Sequence, residues 1–221
     1  WLDDTLQKDF IYYLKNDIGR IDFILITGDI IDKGQYDNIK LVKQAKSFLN
    51  SLKDVVNDHI IFAIGNHDYQ REEARFAILK NWAAFGNKDD NSWKEKLKTN
   101  FKEYVSFIKS IMGEQYPITE DTYIYNMIDD ISIIVMNTSI FSGQPLLNDK
   151  GEYQKDEKGN VIVCDEGKLW VSDSSFPTMD SIIHDKPTIV IGHHPIDYFQ
   201  ENAQLKFNAF LNRVNGKYLC G

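Results

Sequence analysis

Apolar residues change their spacing several times along this chain, and each change marks an element. Leu2, Leu6, Phe10, Ile11 and Leu14 recur three to four apart, which predicts an amphipathic helix over 2–14. IDFILIT (21–27) is continuous, β-branched and aromatic, and stops at Gly28, the pattern of a short strand buried on both faces. Helical spacing returns over 37–55, with Asp37 or Asn38 placed to cap the N-terminus. HIIFAI (59–64) predicts a second buried strand. Helix, strand, helix, strand favours an α/β fold with helices covering a sheet.

From 71 to 113 the pattern is helical again, with Trp93, Leu97, Phe101, Tyr104, Val105, Ile108 and Met112 on one stripe. This segment reads as a helical insertion whose aromatic stripe is a packing face or else a lid. TYIYNMIDDISIIVMNTS predicts a hairpin turning at Asp129 and Asp130. The charged stretch 148–160 carries Gly151 and Gly159 and is expected to be a solvated loop or exposed hairpin tip. KPTIVIG (186–192) predicts another buried strand, NAFLNRVN a short helix and GKYLCG a last strand. No internal repeat or linker is evident, so one domain over 1–221 is expected.

Composition narrows the class. With 43% hydrophobic residues and 5 prolines in 221, the chain can bury a sizeable core. No apolar run approaches the ~20 residues of a membrane span, so no membrane partner is expected. The net charge of −8 argues against a nucleic-acid partner, which needs clustered Lys and Arg. One disulfide between Cys164 and Cys220 is open, but the favoured reading is a reduced, cytoplasmic chain. The sequence starts at Trp1 and stops at Gly221 directly after an apolar stretch, so both ends are expected to be cut points.

Three of the expected strands end in glycine followed by polar side chains: TGDIID, IGNHD and IGHHP. The carboxyl ends of strands form the ligand crevice of open α/β sheets. Asp29, Asn66, His67 and His193 can therefore meet there, although they lie far apart in sequence. A mixture of carboxylate, amide oxygen and neutral imidazole is what hard and borderline cations take. Taken singly, each motif reads as an ordinary turn or helix cap.

GDIID, GNHD and GHHP in that order resemble the calcineurin-like metallophosphoesterase family, whose pattern is Asp-x-His, GDxxD, GNH[DE], a single or doubled His, and GHxH. The resemblance implies an α/β/β/α sandwich of two mixed sheets flanked by helices, truncated here at both ends. It also implies two divalent metal ions (Mn, Fe, Zn or similar) that activate a water for phosphoester hydrolysis. By the same likeness Asp29 bridges both metals, and Asn66 and His193 bind the second. His67 faces the substrate to stabilise the phosphoryl group or protonate the leaving oxygen, with Asp32 orienting it. His194 is open between support of its neighbour, substrate contact and packing. His59 and His184 have no motif context and are expected to be structural.

The departures are as specific as the matches. No Asp-x-His precedes GDIID, and Gly221 stands where GHxH would begin. One metal position keeps Asp29, Asn66 and His193; the other keeps Asp29 alone. Lys33 occupies the place of a phosphate-gripping arginine in the family's protein phosphatases and is expected to be solvated. Lys33 and the Asp of GNHD tilt the expected substrate toward a small phosphodiester or nucleotide. The alternatives are a protein phosphatase or nuclease of the same family, or a binding scaffold that has lost catalysis.

Overall fold

A computed structural model describes residues 3–56, 59–85, 90–126, 128, 130–182 and 186–221. Leu2, Asp129 and His184, on which expectations were placed, lie outside the described residues. The chain runs α1 (Asp4–Tyr13), β1 (Ile24–Ile26), α2 (Ile39–Val56), β2 (Ile60–Phe62), α3 (Glu73–Phe85), α4 (Asp90–Lys98) and α5 (Lys102–Met112). It continues through β3 (Tyr123–Tyr125), β4 (Ser132–Val135), β5 (Thr188–Ile191), α6 (Glu201–Arg213) and β6 (Gly216–Leu219).

Two sheets result. β1 pairs in parallel with β2, and the second sheet has the order β3-β4-β5-β6. β3 and β4 form the expected antiparallel hairpin, while β4, β5 and β6 run parallel. Alternation along β4 and β5 builds the layers. Ile133, Val135 and Ile191 join the core shared with β2, α2 and α5. Ile134, Met136 and Val190 join a second core with Phe199, Ala203, Phe207 and Phe210, on and just before α6. Two sheets flanked by helices agree with the expected α/β architecture, although among the described residues only the second sheet is mixed and the first is parallel.

β2 is fully buried, whereas β1 is only half-buried along its length. This corrects the reading of β1 as buried on both faces: Ile24, Leu25 and Ile26 are packed against the core but each keeps part of its surface exposed. Tyrosines satisfy part of the backbone of β2. Tyr123 Oη donates to Phe62 O at 2.7 Å and accepts from Phe62 N–H at 3.2 Å, and Tyr116 Oη donates to Ile60 O at 2.7 Å. Buried strand groups left without such partners would each cost about 1–3 kcal/mol.

α2 begins as predicted, with the Asn38 Oδ1 accepting from Leu41 N–H at 3.2 Å. Its stripe of Ala45, Leu49, Leu52 and Val56 is buried. The aromatic stripe of the insertion is a packing face: Leu97, Phe101, Tyr104 and Ile108 are buried, and the Tyr104 hydroxyl donates to Ala63 O at 2.7 Å. α6 is longer than predicted, beginning at Glu201 because Gln200 and the preceding Phe199 turn the chain into it.

The charged stretch is an exposed ribbon, and it reveals a repeat that was not expected. LLNDKGEY (146–153), QKDEKGNV (154–161) and IVCDEGKL (162–169) are successive octads with glycine at the same place. Gly151, Gly159 and Gly167 all have positive φ, at 74°, 82° and 67°. Gln154 N donates to Leu146 O, Ile162 N to Gln154 O and Leu146 N to Ile162 O, a closed ring of three bonds at 2.8–2.9 Å. Asn148 and Asp156 hold the same place in the first two octads and each accepts from the N–H groups two and four residues on, so the recurrence NDKG, DEKG, CDEG was the signal available in the sequence. Both cysteines are free, and among the described residues no helix is long and apolar enough to cross a membrane.

Candidate metal centre

The GDIID and GNHD loops leave the ends of β1 and β2 with their backbones in contact. A Cβ on Gly28 would fall on the backbone of Gly65, and one on Gly65 would fall on Asp29. Gly28 has φ of +111°, and Asp29 follows in the left-handed region at φ 59°. That conformation costs most L-residues about 1–2 kcal/mol, less for Asp.

Asp68 holds Asp29 in it. The carboxylate is fully buried and accepts four backbone N–H bonds: Asp29 at 2.9 Å, Ile30 at 2.7 Å, Ile31 at 3.0 Å and Gly65 at 2.8 Å. Burial pushes this carboxyl up to about 7, aided by the Asp29 charge, while the N–H donors favour the carboxylate. The Asp of GNHD therefore clamps the two loops from beneath. It does not face the crevice, which removes it as a guide to substrate. Sequence reasoning read it singly as a turn residue and, by likeness to the family, as a pointer to substrate; its bonds to the GDIID loop depend on the pairing of β1 with β2.

Asp29 in turn reaches both other motifs. Its Oδ1 accepts from His67 N–H at 2.9 Å, which ties the GNHD loop to this carboxylate. Its Oδ2 lies 3.6 Å from His193 Nε2. His193 Nδ1 is 2.8 Å from the Thr27 carbonyl oxygen, so Nδ1 donates there and Nε2 is the ring nitrogen that faces Asp29. An imidazole nitrogen and a carboxylate oxygen thus face one another across a gap. Donors ~2.1 Å from one tetrahedral cation stand ~3.4 Å apart, so the gap suits a cation. Among the described residues no three His, Cys, Asp or Glu side chains converge.

Thr138, just past the end of β4, sets the HHP loop. Its hydroxyl accepts from His193 N–H at 2.9 Å and His194 N–H at 3.1 Å, and Tyr218 Oη donates to His194 O at 2.6 Å. Thr138 was missed because its relation to His193 depends on β4 lying beside β5. His194 is only 2% exposed, with its ring beneath His193 at 4.7 Å between centroids. Burial first, then the His193 and Arg71 charges, pushes its imidazole down to about 3, so it is a neutral packing ring out of reach of substrate.

His67 Nδ1 lies 2.8 Å from Asp32 Oδ1, with both side chains substantially exposed. The bond places the Nδ1 proton toward Asp32 and leaves Nε2 free for the crevice. Lys33 is exposed, at φ 56°. His59 bonds the Tyr125 hydroxyl at 3.2 Å, away from these loops. Gly221 N–H donates to His193 O at 3.1 Å, which brings the end of β6 to the rim.

The family profile described as calcineurin-like phosphoesterase matches residues 4–221. A curated relative from Bacillus subtilis (strain 168), the uncharacterized metallophosphoesterase-like protein YydB, is 26% identical over 226 residues. That alignment takes in 96% of this chain and 43% of the relative, so the chain spans less than half of that protein's length.

Proposed function

The chain belongs to the calcineurin-like phosphoesterase family, and from that premise we propose that it hydrolyses a phosphoester with divalent cations as cofactors. The substrate class we assign is a small phosphodiester or a nucleotide, on the strength of Lys33 in place of a phosphate-gripping arginine. The observation that carries the reading is the 3.6 Å gap between His193 Nε2 and Asp29 Oδ2, with the far side of the imidazole tied to a backbone carbonyl.

Asp29, Asn66 and His193 would hold one cation; a second, shared through Asp29, would draw on donors beyond these three. Such cations supply Lewis-acid stabilisation of phosphoryl oxygens and an activated water. The remaining work falls to the chain itself. Asp68 fixes the Asp29 backbone, so the carboxylate is positioned before any ligand arrives. Thr138 fixes His193 through its N–H. His67, oriented by Asp32, offers Nε2 as the group that hands a proton to the leaving oxygen, and the carboxylate stabilises the imidazolium form before transfer.

The test is metal analysis of the intact protein beside its hydrolysis of an aryl phosphodiester and an aryl phosphomonoester with added Mn²⁺. Bound cation and turnover of the diester are expected. A second reading, a metal-free binding scaffold, is favoured by the lack of three converging His, Cys, Asp or Glu side chains among the described residues. Absence of both metal and turnover would establish the scaffold and sink the hydrolase.

A further inference from the structure

Arg71 sits five residues past Asn66, half-buried, with its Nη2 donating to the Asn66 carbonyl at 3.3 Å. That is its one hydrogen bond among the described residues, where no Asp or Glu pairs with it either. The next arginine, Arg75, shows the contrast. It is buried, and its guanidinium is consumed by Leu97 O, Asn100 Oδ1, Ser139 O, Ile140 O and Ser142 O. Arg75 is structural, whereas Arg71 keeps most of its five N–H donors uncommitted.

Its position is as informative as its freedom. The bond to Asn66 pins it to the loop that carries Asn66 and His67. Arg71 thus lies against one of the three loops that form the candidate metal centre. Asp29 and Asp32 on the GDIID loop repel any phosphate that approaches, so an anionic substrate needs positive charge held at this rim. Lys33 is exposed, and among the described residues no hydrogen bond or ion pair ties it to the loops.

We propose that Arg71 is the anion clamp of this site: its free guanidinium donors take the phosphoryl oxygens of a substrate seated beside Asn66. A planar fork suits two oxygens of one phosphoryl group, which a lysine at the same place would hold only as a point charge. The clamp rests on the phosphoester reading for its substrate, but binding of inorganic phosphate tests it without any turnover.

The experiment uses the intact, metal-loaded protein and compares wild type with Arg71→Ala and Arg71→Lys. Phosphate affinity is read by calorimetry, KM and kcat on an aryl phosphodiester, and metal content alongside. Arg71→Ala is expected to weaken phosphate binding and raise KM about 10- to 100-fold, the size of one or two charge-assisted hydrogen bonds. Metal content should hold, and Arg71→Lys should recover only part of the loss. Unchanged phosphate affinity in Arg71→Ala would overturn the clamp while leaving the hydrolase reading intact. Loss of metal with the arginine would also overturn it, by making Arg71 a support for Asn66. Arg71-dependent phosphate binding without any turnover would uphold the clamp and refute the hydrolase. No phosphate binding by the wild type would overturn the clamp outright.

Discussion

Asp68 Oδ2 accepts the backbone N–H of Asp29 at 2.9 Å, so one buried carboxylate sets the conformation of the other, exposed one. The same oxygen takes the Gly65 N–H and its partner oxygen takes Ile30 and Ile31. Asp68→Asn would replace one acceptor with an NH₂ that faces N–H donors. A loss of about 3 kcal/mol is expected, the scale of charged hydrogen bonds broken in the interior. Denaturant unfolding measures it, and metal uptake should fall in parallel because Asp29 would no longer be held.

Gly65→Ala tests the contact of the two loops. Its Cβ would fall on the Asp29 carboxylate and backbone. The loops must separate to admit it, so metal affinity should drop at least tenfold even where the variant folds. Titration calorimetry on a folded Gly65→Ala protein with wild-type affinity would show that the loops have slack this geometry denies.

His67 and Asn66 are neighbours with separate tasks. In the intact protein His67→Ala should lower kcat by roughly 10²–10⁴, the range of a general acid–base group, with metal content nearly unchanged. Asn66→Ala should instead lose metal. The reverse pattern, read by metal analysis and steady-state kinetics together, would exchange the two assignments.

The donor set limits stoichiometry. A polypeptide of residues 1–221 offers Asp29, Asn66 and His193 to a cation, and it should take up one divalent ion per chain at most, weakly, with little phosphoesterase activity. Asp29→Ala should abolish that uptake. Two tightly held cations would mean that donors outside these loops complete a second position.

Arg75 is the test of the core beneath the site. It ties α3 to residues 97–100 and to the 139–142 turn, and its guanidinium stacks 4.1 Å from the Tyr69 ring centre. Arg75→Met should cost about 3–5 kcal/mol, since it strands several buried carbonyls at once. A melting curve close to wild type would mean that water replaces the guanidinium without strain.

Much of this was legible along the chain because it is local. Hydrophobic spacing fixes which faces of α2 and α5 are buried, and the strand–glycine–polar succession fixes where Asp29, Asn66 and His193 leave their strands. The cap at Asn38 and the β3–β4 hairpin need only neighbours in sequence. Even the geometry between Asp32 and His67 was anticipated, though through likeness to a family pattern rather than through spacing.

What escaped depends on elements that meet only once the sheets close. The half-burial of β1, beside a fully buried β2, depends on which elements cover each strand, and that is not written in a strand's own residues. Asp68 and Thr138 look like turn residues until the loops they bond are brought across from β1 and β5. The octads share one glycine per turn and, in the first two, an Asn or Asp three places before it, but the third octad departs from this, and the ring of hydrogen bonds exposes the period most plainly. Arg71 and Arg75 are four residues apart and alike in sequence, yet one is spent on buried carbonyls and the other keeps its donors. Local chemistry selects which groups stand at the ends of strands; which of them are satisfied, and which are left free to act, is decided by non-local packing.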